Sequence, residues 1–198
     1  MFYRSENGHG LPHNPFNAII APRPIGWIST RGSAGDNLAP YSFFNAVAYV
    51  PPQVMFASTS SKPDRNGTKD SVAQIAESRV FCVNIADAAL REQVNASSAP
   101  LPAGVSEFQH AGIEAAECET IDCPRVAGAA ASLECRMTRV IRLAGEANVM
   151  VLGVVTGIHL RPDCVESGVF RPPSGWLSRL GHKDYAATTQ TFQMERPA

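Results

Sequence analysis

Between Ser58 and Ser71 the chain gathers hydroxyls, ammonium groups and the start of a helix. Ser58-Thr59-Ser60-Ser61-Lys62 closes an apolar run with four hydroxyls and a cation, and Lys69-Asp70-Ser71 follows at a predicted helix N-terminus. Hydroxyl donors, two cations and free helix N–H groups together suit a phosphate monoester. Taken alone, the same residues also make an ordinary serine-rich turn before a capped helix, and Asp70 opposes a nearby phosphate unless it points away or caps the helix. A second segment, Asn37-Leu38-Ala39-Pro40-Tyr41-Ser42-Phe43-Phe44-Asn45, mixes small, aromatic and amide side chains. Pro40 removes one N–H and leaves others free. Such a strand can offer its backbone, Ser42 and Asn45 to the polar edge of a planar ligand, with Trp27 or Phe43 over a face. It serves equally well as a core strand with aromatic filling.

The elements that must position these residues are short. Fifteen Gly and fifteen Pro punctuate the apolar runs, a rhythm that favours strands. Strands are predicted over Ile25 to Thr30, Ala39 to Ala48, Gln53 to Ser58 and Arg79 to Ile85. A turn at Arg31 to Asn37 ends the first, and Pro51-Pro52 separates the second from the third. Ser132 to Leu143 and Val149 to Leu160 read as a long hairpin around Gly145. Ser71-Val72-Ala73-Gln74 fits a capping box, with Val72, Ile75 and Ala76 on one face of a short helix that ends near Ser78. A second helix spans about Asp87 to Ala96. The region from Ser97 to Gly128 reads as loop, its acidic group Glu114, Glu117, Glu119 and Asp122 as a solvated face. With no internal repeat and no low-complexity linker, residues 1–198 read as a single domain. The expected fold is mainly β, a closed antiparallel barrel with a few short helices.

Composition narrows the chemistry. The 198 residues are 44% hydrophobic and 18% charged, which suits a packed core rather than a disordered chain. The net charge of -1 supplies no basic field for a nucleic-acid backbone. No apolar run is long enough to cross a membrane, and the first residues lack the pattern of a signal peptide. Cys82, Cys118, Cys123, Cys135 and Cys164 are odd in number and widely spaced, so reduced, mostly buried thiols in a cytoplasmic protein are expected. Glycine-rich nucleotide loops, a nucleophile elbow and a His-Glu-x-x-His pair are all missing. His9 and His13 share a loop broken by Pro12, a poor metal clip, so no metal site is expected.

The combination of Arg23-Pro24-Ile25-Gly26-Trp27-Ile28-Ser29-Thr30, Asn37 to Asn45, Pro51-Pro52 and Lys69-Asp70-Ser71 resembles the flavin reductase-like family of FMN-binding split barrels. Ser106-Glu107-Phe108, Pro124-Arg125-Val126, Gly153-Val154-Val155 followed by His159, and Arg179-Leu180-Gly181 with Tyr185 extend the likeness over about residues 17–197. It is closest to the longer branch, associated with flavoprotein oxygenases. The resemblance implies an antiparallel split β-barrel and a homodimer with FMN near the subunit interface. It places Trp27, Ser29 and Thr30 near the flavin and Ala39, Pro40, Tyr41, Ser42, Phe43 and Asn45 along the isoalloxazine ring. Ser58, Ser60, Lys62, Lys69 and Ser71 would serve the phosphate. Ser71 replaces the family's usual Thr and keeps the hydroxyl, while Val154 stands where an acidic residue often follows the glycine.

The implied activity is NAD(P)H-dependent reduction of FMN, with NADH or NADPH as co-substrate and a flavoprotein oxygenase as a possible partner. A flavin carries the hard chemistry itself, which fits the absence of a triad or a carboxylate pair. His159 is the one candidate catalytic residue. The family associates a histidine hereabouts with the flavin or nicotinamide site, whereas a single histidine on an apolar strand is equally a structural one. Two rivals share the composition: an FMN-binding electron carrier, and a barrel that binds another small molecule without flavin.

Overall fold

The computed structural model describes residues 1–60, 68–102 and 104–197. Helix α1 (Phe16–Ile19) leads into strands β1 (Arg23–Pro24), β2 (Gly26–Gly32), β3 (Gly35–Tyr41), β4 (Phe44–Tyr49) and β5 (Pro52–Ser58). Helix α2 (Asp70–Ser78), β6 (Val80–Ile85), α3 (Arg91–Ala96) and α4 (Glu107–His110) follow. The remainder is β7 (Ala115–Glu117), β8 (Pro124–Val126), β9 (Ala131–Arg142), β10 (Val149–Leu160), β11 (Val165–Glu166), β12 (Val169–Phe170), β13 (Trp176–Arg179) and β14 (Tyr185–Thr188). Seven strands form one antiparallel sheet in the order β3-β2-β6-β9-β10-β5-β4.

That sheet curls around a single apolar cluster. Ile28 of β2, Tyr41 of β3, Phe44 of β4, Phe56 of β5, Phe81 of β6, Met137 of β9 and Val151 of β10 meet there with Val72 and Ile75 of α2. Side chains from every strand of the sheet converge on one core only if its two ends approach each other, and β3 does contact β5. The fold is therefore the mainly-β, antiparallel split barrel that the sequence predicts. Alternation along β2 sends Trp27 to the opposite face, into a second cluster with Leu38, Val94, Phe108 and Leu177. The long β9–β10 hairpin bends at register shifts beside Gly153, where a Cβ would stand 2.6 Å from the Phe81 ring. Glycine is required there for that ring to fill the barrel.

Local expectations need four corrections. Arg31 to Asn37 is not one turn: β2 and β3 extend to Gly32 and from Gly35, and Arg31 clamps Asp36 across the pair at 2.7 Å. Ala39 to Ala48 is broken at Ser42-Phe43, where the Phe43 carbonyl accepts from Ala57 N–H and turns the chain onto β5. Ser71 does not cap α2. Lys69 occupies the N-cap with no side-chain cap, and Gln74 instead bonds Thr30 and the Gly35 carbonyl, so the buried face carries Ser71 and Gln74 while Ala76 is exposed. Finally, the expected loop at 97–128 contains α4, β7 and β8, and two of its acids, Glu117 and Asp122, pair with Arg31.

Candidate functional site: a cradle at the start of helix α2

β3 is one end of the sheet, and α2, α3 and α4 pack against it. Where they meet lies a cavity of about 330 Å³, near the lower end of the usual range for ligand pockets. Ala39, Pro40, Tyr41, Ser60, Lys69 and Ser71, all expected site residues, line it together. The Lys69 ammonium stands 5.4 Å from the centre of the Tyr41 ring. The nine-residue helix α2 opens onto the cavity without a side-chain cap, so its N-terminal end presents partial positive charge to whatever fills the space. Tyr41 is buried, and its hydroxyl sits beside those of Ser71 and Ser58 without completing a well-formed hydrogen bond. Burial pushes the phenol up to about 12, so it remains a donor at neutral pH. A buried hydroxyl with no partner among the described residues, one ammonium and a helix N-terminus fit a phosphate ester. Asp70 and Glu107 add negative charge to the rim, and Glu107 is tied to the Leu38 N–H at 3.0 Å.

Other expected residues support the cradle from behind. Asn37, also on the cavity wall, donates to Ser71 Oγ at 2.9 Å and to Thr30 Oγ1 at 3.2 Å, while Thr30 donates to Gln74 at 2.6 Å. Trp27 is fully buried and its indole N–H donates to Ser97 Oγ, another wall residue. Ser58 is buried and donates to the Ser60 carbonyl at 3.3 Å. The sequence motifs include Asn37, Asp70 and Glu107 without marking them as site residues, and Ser97 to Pro100 read only as loop. Ser97-Ser98-Ala99-Pro100 was the available signal, a run of small and polar residues with a proline at its end.

The rest of the expected set lies elsewhere. Ser29 is buried on the Trp27 face of β2, where it donates to the Pro124 carbonyl and accepts from Asn84. Ser42 and Phe43 line a different cavity, and Asn45 is exposed on β4 with its side chain accepting from Ala46 N–H. Lys62 lies outside the described residues. His159 is not on the cradle wall; its Nε2 meets Glu134 Oε1 at 2.5 Å. Glu134 is completely buried and also accepts from Glu119 N–H and from the N–H and hydroxyl of Thr120. Burial alone would raise this carboxyl, but those donors outweigh it and hold it at about 2. His159 and Glu134 together fasten the turn between β7 and β8.

That turn carries a feature invisible as spacing. Cys82 and Cys123 are buried in one cluster with Cys118 packed against it, so three of the five thiols adjoin rather than scatter. The adjoining Cys123 and Cys82 thiols favour the Cys118 thiolate and draw its pKa below the ordinary thiol range, while closeness to Cys118 and burial push both of those thiols up. Among the described residues, no group of three or more His, Cys, Asp or Glu side chains has the geometry to hold a metal ion.

The profile of the flavin reductase like domain matches residues 20–173. The chain belongs to the flavin reductase-like family. An uncharacterised protein of Deinococcus radiodurans is 37% identical to it over 190 residues, covering 90% of this chain and 82% of the relative. Nitrilotriacetate monooxygenase component B from Bacillus cereus superposes with a TM-score of 0.87 at 28% identity, over 98% of each chain. The 2-nitrobenzoate 2-nitroreductase NbaA of Pseudomonas fluorescens reaches 0.78 at 26% identity, over 91% of this chain and 88% of that one. A Shewanella frigidimarina protein with a split barrel domain has the same fold, with a TM-score of 0.83 at 17% identity. Family membership makes this flavin reductase-like chain a flavin-binding oxidoreductase.

Proposed function

We propose that the chain binds FMN in the cradle at the start of α2 and reduces it with NADH or NADPH. The observation that carries this reading is the convergence of Ser60, Lys69, Ser71 and the Tyr41 hydroxyl, unpartnered among the described residues, on the N-terminus of α2, in a chain of the flavin reductase-like family. Lys69 and the α2 N–H groups would meet the phosphate charge, and Ser71 and Tyr41 would donate to its oxygens. Asn37 holds the Ser71 hydroxyl in place from one side, and Trp27 holds Ser97 from the other. Bound FMN supplies the two-electron chemistry, so the protein's work is to hold the ring, exclude water and admit a nicotinamide.

The likeness to component B of a monooxygenase supports a flavoprotein oxygenase as the consumer of the reduced flavin. A homodimer is supported by the outer end of the sheet. β4 is the last strand, and Val47, Tyr49 and Val50 are 51%, 88% and 86% exposed along it and its turn, an apolar edge that a second copy would cover. Five cysteines without a disulfide among them support a cytoplasmic setting. No helix among the described residues is long and apolar enough to cross a membrane. The test is titration of the purified chain with FMN and riboflavin, followed by anaerobic mixing with NADH and with NADPH. FMN binding with rapid bleaching of the flavin band supports the reading. FMN binding without bleaching by either nucleotide leaves an electron carrier, and no flavin binding removes the proposal.

A further inference from the structure

The segment that ends β3 serves two cavities. Pro40 and Tyr41 line the cradle, whereas Ser42 and Phe43 line a second cavity of about 370 Å³ together with Arg23, Arg179, His13 and His182. Tyr41 and Ser42 are consecutive, so the two cavities are lined by adjacent residues of one segment. Among the described residues the second cavity has two guanidinium groups and two imidazoles in its lining and no carboxylate. The His13 and His182 rings stack at 3.8 Å.

Arg23 is the unusual member. It is only 7% exposed, and its terminal nitrogens donate to the carbonyls of Asn17, Ile20 and Leu180. Its Nε is buried and has no partner among the described residues. Its guanidinium lies 5.7 Å from the centre of the Phe43 ring, which supplies weak compensation at best. Arg179 spends its donors on the Tyr185 hydroxyl and the His182 carbonyl, both neutral. Neither arginine has a carboxylate partner among the described residues. A buried guanidinium with an orphan donor is costly unless an anion joins it, and the half-buried Arg179 adds a second positive charge at the same cavity. Burial, and then repulsion from Arg179, both act against the charge on Arg23.

We propose that this second cavity binds the anionic group, phosphate or carboxylate, of the reactant that exchanges electrons with a flavin held in the cradle. The inference rests on the flavin reading above, because a reactant anchored here would have to reach a flavin whose cradle begins at the preceding residue of the same segment. Two sources offer that anion: the pyrophosphate of a nicotinamide dinucleotide, or the carboxylate of a small organic acceptor.

Calorimetric titration of the full chain with inorganic pyrophosphate, ADP-ribose and benzoate, beside a separate FMN titration, tests it. At least one of the three probes binds, and Arg179→Gln weakens that probe by roughly tenfold or more while FMN affinity stays within about twofold. His182→Ala, at an exposed position, repeats the comparison should Arg179→Gln fail to fold. ADP-ribose binding better than pyrophosphate identifies the dinucleotide source, and benzoate binding best identifies the acceptor. FMN binding with no probe bound, or probe binding equal in wild type and both variants, overturns the inference and leaves the flavin reading intact. Probe binding that depends on Arg179, in a chain that takes no FMN, upholds the anion site and removes the flavin reading.

Discussion

The Asn37 amide donates to Ser71 Oγ at 2.9 Å, joining the sheet's end strand to the first turn of α2. The same amide reaches Thr30, so one buried side chain sets two hydroxyls. Asn37→Ala leaves both without that donor and should cost roughly 1–3 kcal/mol of stability. FMN affinity should fall with it, because Ser71 loses its orientation. Urea denaturation and FMN titration check both effects, and an unchanged affinity rejects the positioning role.

Lys69 separates phosphate recognition from ring recognition. Lys69→Ala should weaken FMN by roughly 1.5–3 kcal/mol, the worth of a hydrogen bond to a charged group, and riboflavin by much less. Equal losses for the two ligands would place Lys69 away from the phosphate.

For His159 the geometry points to stability rather than rate. Its partner is the buried Glu134, and it takes no part in the cradle wall. His159→Asn should lower the melting temperature, with a loss on the order of 1–3 kcal/mol, and leave the rate of flavin reduction within about twofold. A large fall in rate at unchanged melting temperature would return His159 to the catalytic role that the family resemblance implies.

Glu134 predicts an acid limb. Folding holds its carboxyl at about 2 instead of 4.5, so the ionised form is the one that folding favours. Its contribution is complete above about pH 4.5 and is lost as the pH falls toward about 2, a total on the order of 3 kcal/mol. Glu134→Gln should therefore be less stable than wild type near neutrality, with the difference shrinking across that window. Urea midpoints through the acid range measure it, and a constant difference would show that the carboxylate's charge is not what matters.

Cys118 should be the first thiol to react. It is partly exposed and stabilised as the thiolate by its two neighbours, whereas Cys82 and Cys123 are buried and held protonated. Brief iodoacetamide treatment at neutral pH, read by peptide mass spectrometry, should label Cys118 ahead of the other four. Labelling in order of exposure alone, with a rate typical of a free thiol, would contradict the thiolate assignment.

Much of this molecule could be read from local pattern. β5, β6 and the β9–β10 hairpin stand where the apolar runs and their polar or turn-forming neighbours put them. Ser60, Lys69 and Ser71 were legible because a strand end and a helix start lie close in the chain. The roles of Ser97 and Glu107 were not, since their partners are remote: Ser97 meets Trp27, and Glu107 meets Leu38, only after the helices dock on β3. Ser71 and Gln74 show the opposite failure. Their spacing fits a capping box, but tertiary partners on β2 and β3 claimed both side chains.

The cradle is walled by residues 37, 39–41, 60, 69–71, 97–100 and 107, five regions spread over more than a third of the chain. No fragment of the sequence can hold it, and a guest that enters must find the whole barrel assembled. By mass action, occupancy then stabilises everything at once, by about 2.7 kcal/mol when free ligand stands at a hundred times its dissociation constant. A cell short of flavin would accordingly hold this protein closer to its unfolding threshold, so its abundance would track the supply of its own ligand.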